Sequence, residues 1–218
     1  MTRLLDDDAL ERSPVVANNA MNRERTLRGY ARGLGVDIVA ARPARWLDLC
    51  CGTGRALFEA AALLPDTEIV GVDLVDHFLP AVPPANLRLV TASVAAWEPP
   101  GAFDLITCVH GLHYVGDKLG TLARVASWLA PDGLFVADFD ARGVHVPSPR
   151  RLAAELRANG FVHDARRRRV SLRGRREVAF PYRYRGADDQ VGPNYTGQPA
   201  VASFYVDENG SRPGGSAS

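Results

Sequence analysis

The chain has 218 residues, 46% of them hydrophobic, and a formal net charge of +1. That length suits one full α/β core and excludes two domains of ordinary size. Near-neutrality excludes a global electrostatic pull on nucleic acid or an anionic membrane, so charge must act locally.

In chain order, residues 1–16 turn acidic at Asp6-Asp7-Asp8 before any apolar run can form, and read as a flexible start. From Asn18 to Leu34 the composition is helical, with Met21, Leu27, Tyr30 and Leu34 spaced along one side. This helix, within a cap over 17–40, precedes the core at 41–206. Strand and helix signals then alternate: strand 45–49, helix 54–64, strand 68–73, a short helical stretch 74–81, and strand 87–91. Strand 103–109, helix 117–130, strand 134–137 and helix 150–159 follow. Such alternation predicts a parallel sheet. Pro131-Asp132-Gly133 serves as a helix stop, and Pro149 opens the last helix.

After Gly160 the pattern changes. Arg166 to Arg176 interleaves seven arginines with Val170 and Leu172, and Glu177 to Tyr184 alternates like a strand. An arginine-rich strand at a sheet edge, where charge blocks aggregation, is expected over an RNA-binding face. The loop from Gly186 to Pro199 is long and rich in hydrogen-bonding side chains, with Tyr195 in the place of a lid anchor. The polar, glycine- and serine-rich tail 207–218 reads as disordered.

The densest signal is Trp46-Leu47-Asp48-Leu49-Cys50-Cys51-Gly52-Thr53-Gly54. An apolar strand reaches a carboxylate, then a loop of small residues, then a helix. Residues without bulk let a ligand approach backbone N–H groups at the helix N-terminus, so the loop is a cofactor seat. About twenty residues on, Glu68-Ile69-Val70-Gly71-Val72-Asp73 ends a second buried strand on an acid, the spacing at which a carboxylate reaches ribose hydroxyls. A dinucleotide fingerprint fails: the frame from Gly52 ends on Leu57 and the frame from Cys50 ends on Arg55.

With Asp73 and the Phe103-Asp104-Leu105-Ile106 strand, this run resembles the class I S-adenosylmethionine-dependent methyltransferases, in their small-molecule branch. The resemblance spans roughly residues 40–160. It implies a Rossmann-like, doubly wound, mostly parallel seven-stranded sheet with an antiparallel final strand and an appended N-terminal helix. One departure stands out. Cys50 replaces the usual first glycine, and its Cβ requires a negative φ at that turn.

By the same resemblance, the backbone of Gly52, Thr53 and Gly54 contacts the methionine and ribose part, Asp48 acts on the amino group, and Asp73 holds the ribose hydroxyls. Asp73 has a second reading as N-cap of a helix at 74–81. Cys50, Leu74 and Val109 complete the cofactor wall. Where the family often places an acid for adenine, this chain has Ser93, with backbone groups of Val94 expected to do most of the reading. His110, His113 and Tyr114 fall just past the fourth strand, where the family faces the transferable methyl. A histidine there titrates near neutrality and suits a base, unless it packs beneath the loop.

Acceptor contacts are expected from Asn22, Arg23 and Arg25 on the N-terminal helix and from Tyr195 and Gln198 in the long loop. Cys50, Cys51 and Cys108 give neither a disulfide framework nor a metal spacing, so no metal is expected. The function expected is methyl transfer from S-adenosylmethionine, leaving S-adenosylhomocysteine, to an O, N or C atom of a small molecule in secondary metabolism. The protein is expected to be cytoplasmic, a monomer or homodimer, with neither membrane nor nucleic acid as partner. Two alternatives stand beside it: a nucleic-acid methyltransferase, although the Asn/Asp-Pro-Pro-Tyr/Phe segment of base methylation is absent at Cys108-Val109-His110-Gly111, and a protein that binds the sulfonium without methylating.

Overall fold

The computed structural model describes residues 3–17 and 25–208. Helices α1 (Asp7–Glu11), α2 (Pro14–Ala17), α3 (Leu27–Leu34) and α4 (Ile38–Ala41) precede strand β1 (Arg45–Leu49). The chain continues through α5 (Arg55–Leu63), β2 (Glu68–Asp73), β3 (Leu87–Thr91), β4 (Phe103–Cys108), α6 (Lys118–Trp128) and β5 (Leu129–Asp138). It ends with β6 (Val144–His145), α7 (Pro149–Ala158), β7 (Val162–Asp164), β8 (Arg169–Arg173), β9 (Tyr182–Asp188) and β10 (Ala202–Asp207).

Seven strands form one sheet in the order β3-β2-β1-β4-β5-β8-β7. The first five are parallel and β8 runs antiparallel to β5, which is the expected doubly wound architecture. Strand β1 is buried along four of its five residues and β4 along five of six, because helices cover both faces of a parallel sheet. Strand order reverses between β1 and β4. Their carboxyl ends therefore splay into the crevice where such sheets bind ligands. No helix among the described residues is long and apolar enough to cross a membrane.

Several expectations change. The start is not loose: α1 is capped by Asp6, buries Leu10 completely, and is tied to β9 by two hydrogen bonds between Leu5 and Ala187 of 2.8 and 2.9 Å. The expected 18–34 helix is present as α3, which buries Leu27, Tyr30 and Leu34, while residues 18–24 lie outside the described set. Residues 74–81 form no helix. Pro80 lacks an N–H and disfavours helical backbone before it, and the Asp73 carboxylate draws in the Val75 N–H at 3.3 Å in a local turn.

Pro131-Asp132-Gly133 does not separate helix from strand but forms an irregularity inside β5. A Cβ on Gly133 would sit 2.6 Å from the Phe103 carbonyl oxygen, so glycine is what allows the close pairing. The arginine-rich strand is not an edge. Strand β8 lies between β5 and β7 with Val170 and Leu172 buried, and Arg166 to Arg168 occupy the turn before it. The short β7 takes the edge instead. The last expected strand is displaced to β9, which joins β10 and β6 in a separate three-stranded sheet. Residues 209–218, expected to be disordered, lie outside the described set.

Candidate active site

The loop after β1 carries three positive φ angles: Cys50 at 55°, Gly52 at 62° and Gly54 at 73°. The negative φ expected at Cys50 is thus overturned. A left-handed cysteine costs roughly 1–2 kcal/mol, and Gly111 provides the room for it. A Cβ on Gly111 would fall 2.4 Å from Cys50 Cβ and 2.7 Å from Cys50 Sγ. The two positions interlock: one bears a side chain where glycine is usual, and the other has none.

Asp73 meets this loop from β2. Its Oδ2 accepts the Gly52 N–H at 2.8 Å, and its Oδ1 accepts from Val75, so its second reading as a helix N-cap gives way to a clasp on the loop. Cys50, Gly52, Asp73, Leu74 and Val94 line one cleft, together with Arg25 from before α3 and Tyr114 from beyond β4. Thr53 and Gly54 are set back from it. The Thr53 carbonyl accepts the Leu79 N–H, and Gly54 caps α5 against Leu89.

Asp48 is also withdrawn. It is wholly buried beneath the loop, where its Oδ1 accepts from Thr107 at 2.5 Å and its Oδ2 from the Tyr30 hydroxyl at 2.6 Å. Thr107 in turn accepts the Trp46 indole N–H at 2.8 Å. Burial pushes the Asp48 carboxyl up to about 7, against the pull of these hydrogen bonds. Its immediate work is to bind β1, β4 and α3 together under the cleft. Val109 is buried as well, and its carbonyl accepts from the Arg25 guanidinium. Ser93 stands behind Val94 and donates its hydroxyl to Glu11 of α1.

Beyond β4 the chain turns through His110, at a φ of 56°, into a short 3-10 turn over Gly111–His113. The His110 N–H donates to Asp138 Oδ2 at 3.0 Å, and its Nδ1 lies 3.5 Å from the same oxygen and 3.4 Å from the Tyr195 hydroxyl. The His110 and His113 rings stack at 5.9 Å, Tyr195 packs edge-on to His113 at 5.4 Å, and the Arg168 guanidinium lies 4.1 Å from the Tyr195 ring centre. The structure thus brings the loop after β9 onto the turn after β4. That loop is braced internally, since Asn194 accepts from both the N–H and the hydroxyl of Thr196 and donates its own N–H to the Gln198 carbonyl at 2.6 Å.

The two histidines differ. His113 is 3% exposed, and burial pushes it down to about 3, far from the near-neutral titration expected. Its Nε2 makes no hydrogen bond among the described residues. Burial also lowers His110, but the Asp138 carboxylate opposes that shift. Tyr114 lines the cleft, and Gln198 sits at the base of the Tyr195 turn. Asn22 and Arg23 lie outside the described residues.

Sequence reasoning missed Asp138, Arg168 and Glu11. Asp138 had a readable signal, an acid ending the apolar strand Phe135-Val136-Ala137, the same pattern that drew attention to Asp73.

Residues 22–162 match the family described as a methyltransferase domain. The ubiquinone biosynthesis O-methyltransferase of Xanthomonas campestris pv. campestris is 31% identical over 190 residues, covering 66% of this chain and 79% of that protein. The chain belongs to the class I S-adenosylmethionine-dependent methyltransferases. Its methyl donor is S-adenosylmethionine. The demethylmenaquinone methyltransferase of Deinococcus radiodurans is 27% identical over 179 residues, 62% of this chain and 74% of that one. A solved N-methyltransferase of Bradyrhizobium japonicum with S-adenosyl-L-homocysteine overlays at a TM-score of 0.49 and 14% identity, covering 78% of this chain and 97% of that one. In this methyltransferase the residues present fit the donor: a loop with glycine at position 52, a carboxylate at the end of β2, and a cleft at the strand-order reversal.

Proposed function

We propose that the chain transfers a methyl group to an oxygen, nitrogen or carbon atom of a small molecule seated beside the His110–Tyr114 turn and the Tyr195 loop that packs on it, in secondary metabolism. The carrying observation is the convergence of His110, Asp138 and Tyr195 beside the cofactor cleft, from β4, β5 and the loop after β9. The relatives named for ubiquinone biosynthesis and for demethylmenaquinone support a small acceptor. The sulfonium supplies an activated methyl, so the chain's work is to align two reactants and exclude water. Asp73 holds the ribose hydroxyls, the loop backbone at Cys50 and Gly52 faces the methionine part, and Arg25 offers its guanidinium to the methionine carboxylate.

For a hydroxyl acceptor, His110 is the base. Asp138 on its Nδ1 side orients the ring and leaves Nε2 to take the proton. His113 is the packing partner, because a group that resists protonation down to about 3 gives little driving force for proton transfer. Residues 17–206 act as one catalytic unit, and α1 belongs with them because Leu10 is buried against Ala187 and Val201.

The test is transfer of isotope-labelled methyl from S-adenosylmethionine to a panel of phenols, quinols, carboxylic acids and amines, with RNA as a separate arm. Label in a small molecule is the expected result. Label in RNA, or tight cofactor binding with label in no acceptor, would refute it.

A further inference from the structure

We propose that Glu11, carried on α1, is the carboxylate that receives the exocyclic amine of the cofactor's adenine and so selects a 6-amino over a 6-oxo purine. The inference rests on the cofactor reading of the cleft. Gly52 and Asp73 place the ribose at the carboxyl ends of β1 and β2, so the base extends toward the wall beyond β3, formed by Val94 and Ala95. A buried amine needs an acceptor there.

The backbone acceptors of that wall are engaged elsewhere. The Val94 carbonyl accepts from Arg124 Nη1 at 2.7 Å, and the Ala95 carbonyl accepts from the same nitrogen. Arg124 also takes the Trp97 carbonyl at 2.5 Å, so the segment turns its oxygens toward α6 and away from the cleft. Of the Val94 backbone groups expected to read adenine, the carbonyl is therefore committed to Arg124. Ser93 is engaged on both sides: its Oγ accepts the Ala95 N–H at 3.1 Å and donates to Glu11 Oε1. Glu11 itself lines the cleft, and a carboxylate has about four acceptor sites. Ser93 uses one.

The helix that carries Glu11 is fixed by three anchors. Leu10 is completely buried, Asp6 caps the helix by accepting the Ala9 N–H at 2.8 Å, and Leu5 pairs with Ala187. Glu11 is thus a preorganised acceptor, and Ser93, in the segment just past β3, orients it. Burial raises the Glu11 carboxyl while the Ser93 hydrogen bond opposes that shift and favours the charged form.

The experiment is calorimetric titration of the full chain with S-adenosylhomocysteine and with S-inosylhomocysteine, its 6-oxo counterpart. Wild type should prefer the amino ligand by about tenfold or more, the difference a charge-assisted hydrogen bond makes. Glu11→Ala should weaken the amino ligand by about that factor and leave the oxo ligand nearly unchanged. Glu11→Gln, whose amide both accepts and donates, should bring the two ligands within about threefold of each other. Wild-type discrimination retained in both variants, with unchanged thermal unfolding, would overturn the role of Glu11 and leave the cofactor assignment standing. Failure of the wild type to bind S-adenosylhomocysteine would overturn the assignment of the cleft, and the proposal with it.

Discussion

The interlock of Cys50 and Gly111 makes a quantitative prediction. Gly111→Ala adds a Cβ with three close neighbours, Cys50 Cβ at 2.4 Å and the sulfurs of Cys50 and Cys108 at 2.7 Å. Position 111 has no left-handed φ, so the penalty is overpacking, about 2–3 kcal/mol at the upper end of its usual range. Cys50→Gly alone relieves roughly 1–2 kcal/mol of left-handed strain, but loses thiol packing and loosens the unfolded chain, so its net effect should be within about 1 kcal/mol. In the Cys50→Gly background two of the three clashing atoms are gone. Gly111→Ala should then cost about 1 kcal/mol, a coupling of about 1–2 kcal/mol, against the ~0.5 kcal/mol within which independent sites add. Urea unfolding of the four proteins measures it. Equal costs of Gly111→Ala in both backgrounds would refute the steric account of why this loop accepts a cysteine.

Three further outcomes are expected. Asp73→Ala removes both the ribose partner and the clasp on the Gly52 N–H, and should weaken S-adenosylhomocysteine binding by about 1.5–3 kcal/mol in calorimetry; unchanged affinity in a folded variant removes Asp73 from the site. Because burial lowers His110, its neutral, proton-accepting form persists at lower pH than for a free histidine. The acidic limb of kcat/KM should therefore lie below the ordinary histidine value of about 6.5, and His110→Ala should abolish that limb. A limb that persists in His110→Ala assigns it to another group. Tyr195→Ala, which opens the aromatic cover over His110 and His113, should lower turnover by about tenfold or more while cofactor affinity stays within about twofold; equal loss of both would place Tyr195 at the cofactor instead.

What could be read in the sequence was what the chain states locally. A buried strand ending on Asp48 and Leu49, a loop of small residues and an acid closing the next strand are each contiguous patterns, and the structure places Gly52 and Asp73 against each other as their spacing implies. What escaped was set by distant partners. No property of Cys50 by itself permits a positive φ; the permission comes from Gly111, some sixty residues away. Asp48 carries the signature of a ligand contact, yet Tyr30 and Thr107 claim both its oxygens and turn it into a brace between helix and sheet. The arginines of β8 look like a charged edge because their alternation with Val170 and Leu172 is visible, whereas β7 docking outside them is not. The N-terminal helix is the extreme case. An acidic opening of sixteen residues resembles solvated chain until Leu10 finds Ala187 and Val201, contacts that span most of the sequence. Burial of that one leucine fixes the helix, and with it brings Glu11 to the cofactor wall.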